Sequence, residues 1–144
     1  MRALFIPALV LFVIFAGIFF SSLSKPVLHL NNKNISLNIV DTDTERIKGL
    51  GGMNSLPENT AMIFVFDSPA KHDIWMKGMQ FPIDILWIDG EKKILHIEKN
   101  IAPDTYPKTF SAEADSLYVL EANAGFSDEN NLKPGDILDF VLIK

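Results

Sequence analysis

At the start of the chain the polar positions disappear. Residues 3–20 carry no charge and almost no polar side chain, follow Met1-Arg2 and give way to Ser21-Ser22-Leu23-Ser24-Lys25. Eighteen such residues rise about 27 Å as a helix, close to the hydrocarbon thickness of a bilayer. The pattern predicts an N-terminal transmembrane or signal helix within residues 1–24, in contact with the membrane through residues 3–23. Its apolar core exceeds the roughly 7 to 15 residues of a cleaved signal, which favours an uncleaved signal anchor. The basic end would then lie inside and the C-terminal domain would be extracytoplasmic. A secreted or periplasmic product after cleavage is the alternative.

Beyond that segment the pattern changes to short runs. Residues 25–34 are polar with one proline and read as a linker, leaving residues 35–144 as a single domain. Residues 35–40 alternate apolar and polar with period two, as in a half-buried strand. In Thr42-Asp43-Thr44-Glu45 the Thr-x-x-Glu spacing predicts a capping box opening a two-turn helix that runs to Leu50 and stops at Gly51-Gly52. Residues 53–60 read as a loop. The continuous run Ala61-Met62-Ile63-Phe64-Val65-Phe66 predicts a central strand covered on both faces. Further strands are predicted over 72–77, 83–88, 93–98, 117–122 and 137–143, with a hairpin at Asp89-Gly90-Glu91. Residues 101–114 contain Pro103 and Pro107 and form a long loop, 124–131 hold one helical turn, and Lys133-Pro134-Gly135-Asp136 is a turn. Seven or so short strands give a mainly β fold: a jelly-roll-like sandwich or partly closed barrel with one or two short helices.

Composition narrows the function classes. There is no cysteine, so disulfides, thiolate chemistry and zinc–cysteine sites are excluded, as is a lipid-modified cysteine. The formal net charge is −5, with no basic stripe, which argues against nucleic acid as a partner. His29, His72 and His96 are scattered and read as solvated surface residues. His96-Ile97-Glu98 offers two ligands on one strand face but no third, so no metal site is expected. Asp41, Asp43 and Glu45 lack the glycine and terminal glutamate of a calcium loop and fit helix capping better. No cofactor is expected.

Several blocks in order resemble the domain of unknown function 192 family. They are Glu45-Arg46-Ile47-Lys48-Gly49-Leu50, Leu56-Pro57, the strand over 62–66, Trp75-Met76-Lys77-Gly78-Met79, Phe81-Pro82-Ile83-Asp84-Ile85, and Tyr118-Val119-Leu120-Glu121 with Ala124-Gly125. The resemblance spans about residues 35–140. It implies a mostly β, jelly-roll-like structure, often behind a signal or anchor, with no settled biochemical activity. Two departures show: Met53 stands where the family often has an arginine, and Ile74 stands where a phenylalanine usually precedes the Trp-Met-Lys block.

The candidate chemistry lies where charge meets apolar sequence, because an ionised side chain is costly to take out of water unaided. Lys77 and Asp84 fall in the tract Ile74-Trp75-Met76-Lys77-Gly78-Met79-Gln80-Phe81-Pro82-Ile83-Asp84-Ile85-Leu86-Trp87. Alternate strand residues share a face, which sets Asp84 with Leu86 and Ile88, Glu121 with Leu117 and Val119, and Trp75 with Lys77. Lys77 is expected to pair with Asp84, Glu121 or both. The result would be either a structural ion pair or an open site in which Trp75 and Tyr118 offer flat surfaces to a carbohydrate or an anionic ligand. The candidate ligand site is therefore Trp75, Lys77, Asp84, Tyr118 and Glu121. As a function, the sequence favours an extracytoplasmic binding or accessory module for envelope material or an envelope protein. A small hydrolase or lyase using Lys77 with Asp84 and Glu121 is the alternative, and nothing in the spacing assigns a mechanism.

Overall fold

A computed structural model describes residues 25–143. The N-terminal membrane segment expected over residues 1–24 lies outside the described residues. Among the described residues no helix is long and apolar enough to cross a membrane.

The described chain is mainly β. In order it forms β1 (Val27–Leu30), β2 (Lys33–Val40), α1 (Asp43–Lys48), β3 (Thr60–Ala70), β4 (Ile74–Trp75), β5 (Ile83–Ile88), β6 (Ile94–Ile101), a 3-10 turn (Pro103–Thr105), β7 (Thr109–Phe110), β8 (Ser116–Asn123), α2 (Phe126–Glu129) and β9 (Asp139–Val141). Seven strands make one sheet in the order β6-β5-β8-β3-β2-β1-β9, and β4 with β7 makes a two-stranded ribbon. β2 and β3 run parallel, joined through α1, and the other pairs are antiparallel.

Each face of the sheet carries its own core. One cluster joins Leu28 of β1, Ile63 of β3, Leu86 and Ile88 of β5, Ile94 of β6, Leu120 of β8 and Phe140 of β9, so strands from both ends of the sheet meet around it. The sheet therefore curls over this cluster. Its two ends approach at the bridge Lys93–Ile137, where the Ile94 N–H donates to Asp136 O at 2.8 Å and the Leu138 N–H to Lys92 O at 2.9 Å. That bridge is isolated, and the sheet is not closed. The opposite face, with Met62 and Phe64 of β3, Ile83, Ile85 and Trp87 of β5 and Val119 of β8, is roofed by the α1 exit, the β4–β7 ribbon and the segments carrying Leu56, Met76 and Met79. The site lies under this roof.

The apolar run at 61–66 is a central strand between β8 and β2, and β5 is buried at every position. The capping box forms: the Glu45 N–H donates to Thr42 Oγ1 at 3.4 Å, and the Thr42 N–H to Glu45 Oε2 at 3.3 Å. The Thr42 hydroxyl also donates to Glu45 Oε2 at 2.7 Å and holds that carboxyl below its ordinary range. The helix ends sooner than expected, because Gly49 takes φ +48° and ψ −135° directly after Lys48.

Two other expectations are corrected. Val27–Leu30, read as linker, is a strand held between β2 and β9. Of residues 72–77, only Ile74 and Trp75 are strand, paired with Phe110 and Thr109 inside the stretch expected to be all loop.

Candidate functional site

Three segments enclose a cavity of about 350 Å³ on the roofed face. α1 and its glycine exit form one wall, the link over residues 71–73 with Trp75 and Lys77 forms another, and Phe64, Phe66 and Glu121 of the sheet form the floor. The walls are fixed by backbone contact. The Gly52 N–H donates to Gly78 O at 2.9 Å, and a Cβ on Gly51 would stand 2.8 Å from Lys48 O and 2.9 Å from Lys77 O. Only glycine lets the α1 exit lie this close to the Lys77 turn.

Arg46 braces the first wall. Its guanidinium donates to Asp41 O at 2.7 Å and to Val65 O at 2.8 Å, pairs with the Asp43 carboxylate at 2.6 Å and lies 5.2 Å from the centre of the Phe66 ring. The His72 ring stacks on that same phenylalanine at 3.4 Å between centroids and 7° between planes. The His72 carbonyl in turn accepts from Trp87 Nε1 at 2.8 Å, which pins the link to the core. Burial lowers the His72 imidazole below its usual range, against an opposing effect of the Ser68 and Ser116 backbone. His72 is thus a wall residue, not the solvated surface histidine expected from its sequence setting. His96 does lie near the surface, with Nε2 at 3.1 Å from Glu98 Oε1.

Glu121 is 4% exposed, and its Oε2 is buried with no hydrogen-bond partner among the described residues. Burial pushes its carboxyl up to about 8, so the group is mostly protonated at neutral pH. The cavity lining also carries Arg46, Lys48, Lys71 and Lys77 against two further acids, Asp43 and Asp73, in a chain whose formal net charge is −5. Lys48, Lys71 and Lys77 are exposed and make no ion pair among the described residues. The cavity is therefore a positively charged recess with an aromatic lining and a neutral acid at its base.

Of the residues expected from the sequence, the cavity brings together Trp75, Lys77 and Glu121. It brings in neither Asp84 nor Tyr118. In the β5–β8 ladder Ile85 faces Glu121 while Asp84 faces Ala122, so the two carboxyls leave the sheet on opposite sides. Asp84 is fully buried there. Its Oδ1 accepts from the Asn100 N–H at 2.9 Å and the Gly125 N–H at 3.2 Å, and its Oδ2 accepts from the Ser127 N–H at 2.8 Å. A carboxylate that takes three backbone donors is a structural clamp for α2. The Lys77–Asp84 pair is not formed, and chemistry joining Lys77, Asp84 and Glu121 has no geometric basis. Tyr118 packs edge-on against Phe140 at 5.2 Å in the other core.

Sequence reasoning missed Arg46, Lys48, Lys71, His72 and Phe66 as parts of one cavity lining. Arg46 and Lys48 fall in the first block of the family resemblance, which was the available signal. Lys71 and His72 had none. Among the described residues no group of three or more His, Asp or Glu side chains is placed to hold a metal ion.

The fold and the cavity define a mainly β domain with a recess on the outer face of a curled sheet. The chain belongs to the DUF192 family, Uncharacterized ACR, whose profile matches residues 27–140. It is similar to a protein of unknown function from Novosphingobium aromaticivorans, at 26% identity and a TM-score of 0.73, over 79% of this chain and 83% of that one. It also shares its fold with a Sinorhizobium meliloti protein carrying the provisional description of a transcription regulator. That likeness has 24% identity and a TM-score of 0.73, over 80% of this chain and 91% of that one. No curated protein matches the chain.

Proposed function

We propose that this protein is a small-molecule-binding module that residues 3–23 hold at the outer surface of a membrane, with its ligand seated on Glu121 between Trp75 and Lys77. One observation carries the reading. A recess of about 350 Å³ has at its base a buried carboxyl group with an unpartnered oxygen. Volumes of roughly 300 to 1,000 Å³ with a few convergent polar groups are typical of ligand pockets. A buried polar atom left without a partner costs about 1 to 3 kcal/mol, and a ligand that hydrogen-bonds Glu121 removes that cost. The aromatic lining suits a flat ring, and the unpaired ammonium groups suit an anion or a hydroxyl-rich sugar.

The membrane placement rests on the uncharged stretch over residues 3–20 behind Met1-Arg2. An extracytoplasmic domain of this kind would sense or deliver envelope material, alone or for an envelope protein. Thermal unfolding of the full chain against a panel of small anions and glycans tests the pocket. At least one class should raise the midpoint in the parent and lose its effect in Lys77→Met, whose own midpoint should match the parent's. A panel that moves neither protein would overturn the reading. Protease treatment of spheroplasts tests placement, since an intact outer membrane-face domain must be cut without lysis.

A further inference from the structure

The donors that line the recess narrow the ligand. A glycine-rich helix exit beside a cationic rim resembles a phosphate cradle, but here its backbone is spent. The Gly49 N–H donates to Glu45 O, the Gly51 N–H to Lys48 O and the Gly52 N–H to Gly78 O. The Arg46 guanidinium is likewise committed to Asp41, Val65 and Asp43. What is left for a ligand is the Glu121 carboxyl at the base, the unpartnered His72 Nε2 in the wall and the ammonium groups of Lys48, Lys71 and Lys77 at the rim. Few inner donors suit a ligand with few charged oxygens, and the walls of Phe64, Phe66, Ile74 and Trp75 suit an apolar body.

Resting on the pocket reading above, we propose that the ligand is a small monocarboxylate with a flat apolar body. Its carboxylate accepts a hydrogen bond from the Glu121 carboxyl, and its charge is balanced by Lys71 and Lys77. An acid–carboxylate hydrogen bond of this type is short and strong, and it satisfies the Glu121 oxygen that has no partner among the described residues. A cationic ligand would need ionised Glu121 and would meet four cations on entry.

The proton on Glu121 makes the binding pH-dependent, so every group facing it matters. α1 brings Asp43, Arg46 and Lys48, the link between β3 and β4 brings Lys71, His72 and Asp73, and the turn after β4 brings Lys77. β3 and β5 bring only apolar side chains beside it, Met62 opposite in one ladder and Ile85 in the other. Glu121, raised to about 8, gives up its proton between about pH 6.5 and about pH 9.

Calorimetry of the full chain in lipid nanodiscs, with empty nanodiscs as the blank, tests this with benzoate and with benzyltrimethylammonium as probes. Benzoate should bind roughly tenfold more tightly at about pH 6.5 than at about pH 9, because only the protonated fraction is competent. Glu121→Gln keeps a donor and should bind benzoate equally at both pH values. Glu121→Leu should fold and lose binding. Equal benzoate binding by the parent at both pH values, binding retained in Glu121→Leu, or benzyltrimethylammonium binding that strengthens with pH would overturn the proposal. If benzoate has no effect while a glycan or another anion still responds to Lys77→Met, the carboxylate inference falls and the pocket reading stands. If no probe responds, both fall.

Discussion

Asp84 and Glu121 stand one register step apart on neighbouring strands, yet Asp84 is aligned with Ala122 and Glu121 with Ile85, so their side chains leave the sheet on opposite faces. The consequence is a division of labour between two buried acids. Asp84 is ringed by three backbone N–H donors, and Glu121 has an oxygen with none. The first is satisfied and structural. The second is costly to keep and faces the cavity.

Asp84→Ala should therefore destabilise the domain by at least about 3 kcal/mol, since hydrogen bonds to a carboxylate contribute roughly 1.5 to 3 kcal/mol each and three backbone donors, that of Ser127 buried, lose theirs. Asp84→Asn keeps an oxygen for Asn100 and Gly125 but turns an N–H toward that of Ser127, and should fall between parent and alanine. Urea unfolding measures both. A loss below about 1 kcal/mol for alanine would show that the α2 clamp contributes little.

Glu121 predicts a stability profile of unusual sign for a carboxyl. Its folded-state value of about 8 lies above the ordinary 4.5, so between these the folded protein holds a proton that the unfolded chain has released. Stability from this group is complete below the ordinary value and is lost as pH rises toward the raised one. His72, lowered by burial, acts in the other direction and in the window up to its ordinary 6.5. Glu121→Gln isolates the first effect. In ligand-free protein it should be more stable than the parent by on the order of 1 to 3 kcal/mol at about pH 8.5, with the gap closing near about pH 5. Paired urea midpoints across that range check the slope, and a constant gap would refute it.

Lys77→Met separates rim from frame. The Lys77 side chain is exposed and in no ion pair among the described residues, so its replacement should change stability by less than about 0.5 kcal/mol. Arg46→Lys should behave oppositely. It keeps the charge but loses the fork that spans Asp41 O, Val65 O and the Asp43 carboxylate, at about 1 to 2 kcal/mol. Thermal unfolding of the two variants together is the check, and an Arg46→Lys midpoint equal to the parent's would mean that the brace is not holding α1.

These contrasts also show what the sequence could carry. The buried runs at β3 and β5 and the Thr42–Glu45 box were legible because each is local: an apolar stretch of strand length, or two side chains three residues apart. β1 was not legible, since Val27-Leu28-His29-Leu30 is short, lies between Pro26 and Asn31, and becomes a strand through partners in β2 and β9. Strand parity correctly set Asp84 and Glu121 each on an apolar face. Which face of β5 matches which face of β8 is a matter of register, and register is set by distant contacts. Lys71 and His72 were missed for a related reason, because they owe their place to the stacking of His72 on Phe66 and the bond from Trp87.

The close approach at Gly51 ties the two rims of the recess together, and it gives the sharpest steric test. Gly49 accepts a positive φ, but Gly51 is constrained from outside, with the carbonyls of Lys48 and Lys77 both under 3.0 Å from where a Cβ would be. Neither is a flexible side-chain end, so the backbone itself must move. Gly51→Ala should push the α1 exit away from the Lys77 turn, weaken the Gly52–Gly78 hydrogen bond of 2.9 Å and cost about 2 kcal/mol or more. Because it widens the recess without touching Glu121, it should also weaken benzoate binding at low pH while leaving the pH slope of stability in place. Hydrogen exchange at the Gly52 amide reads the local opening directly, and unchanged protection there would show that the two rims are not coupled through this contact.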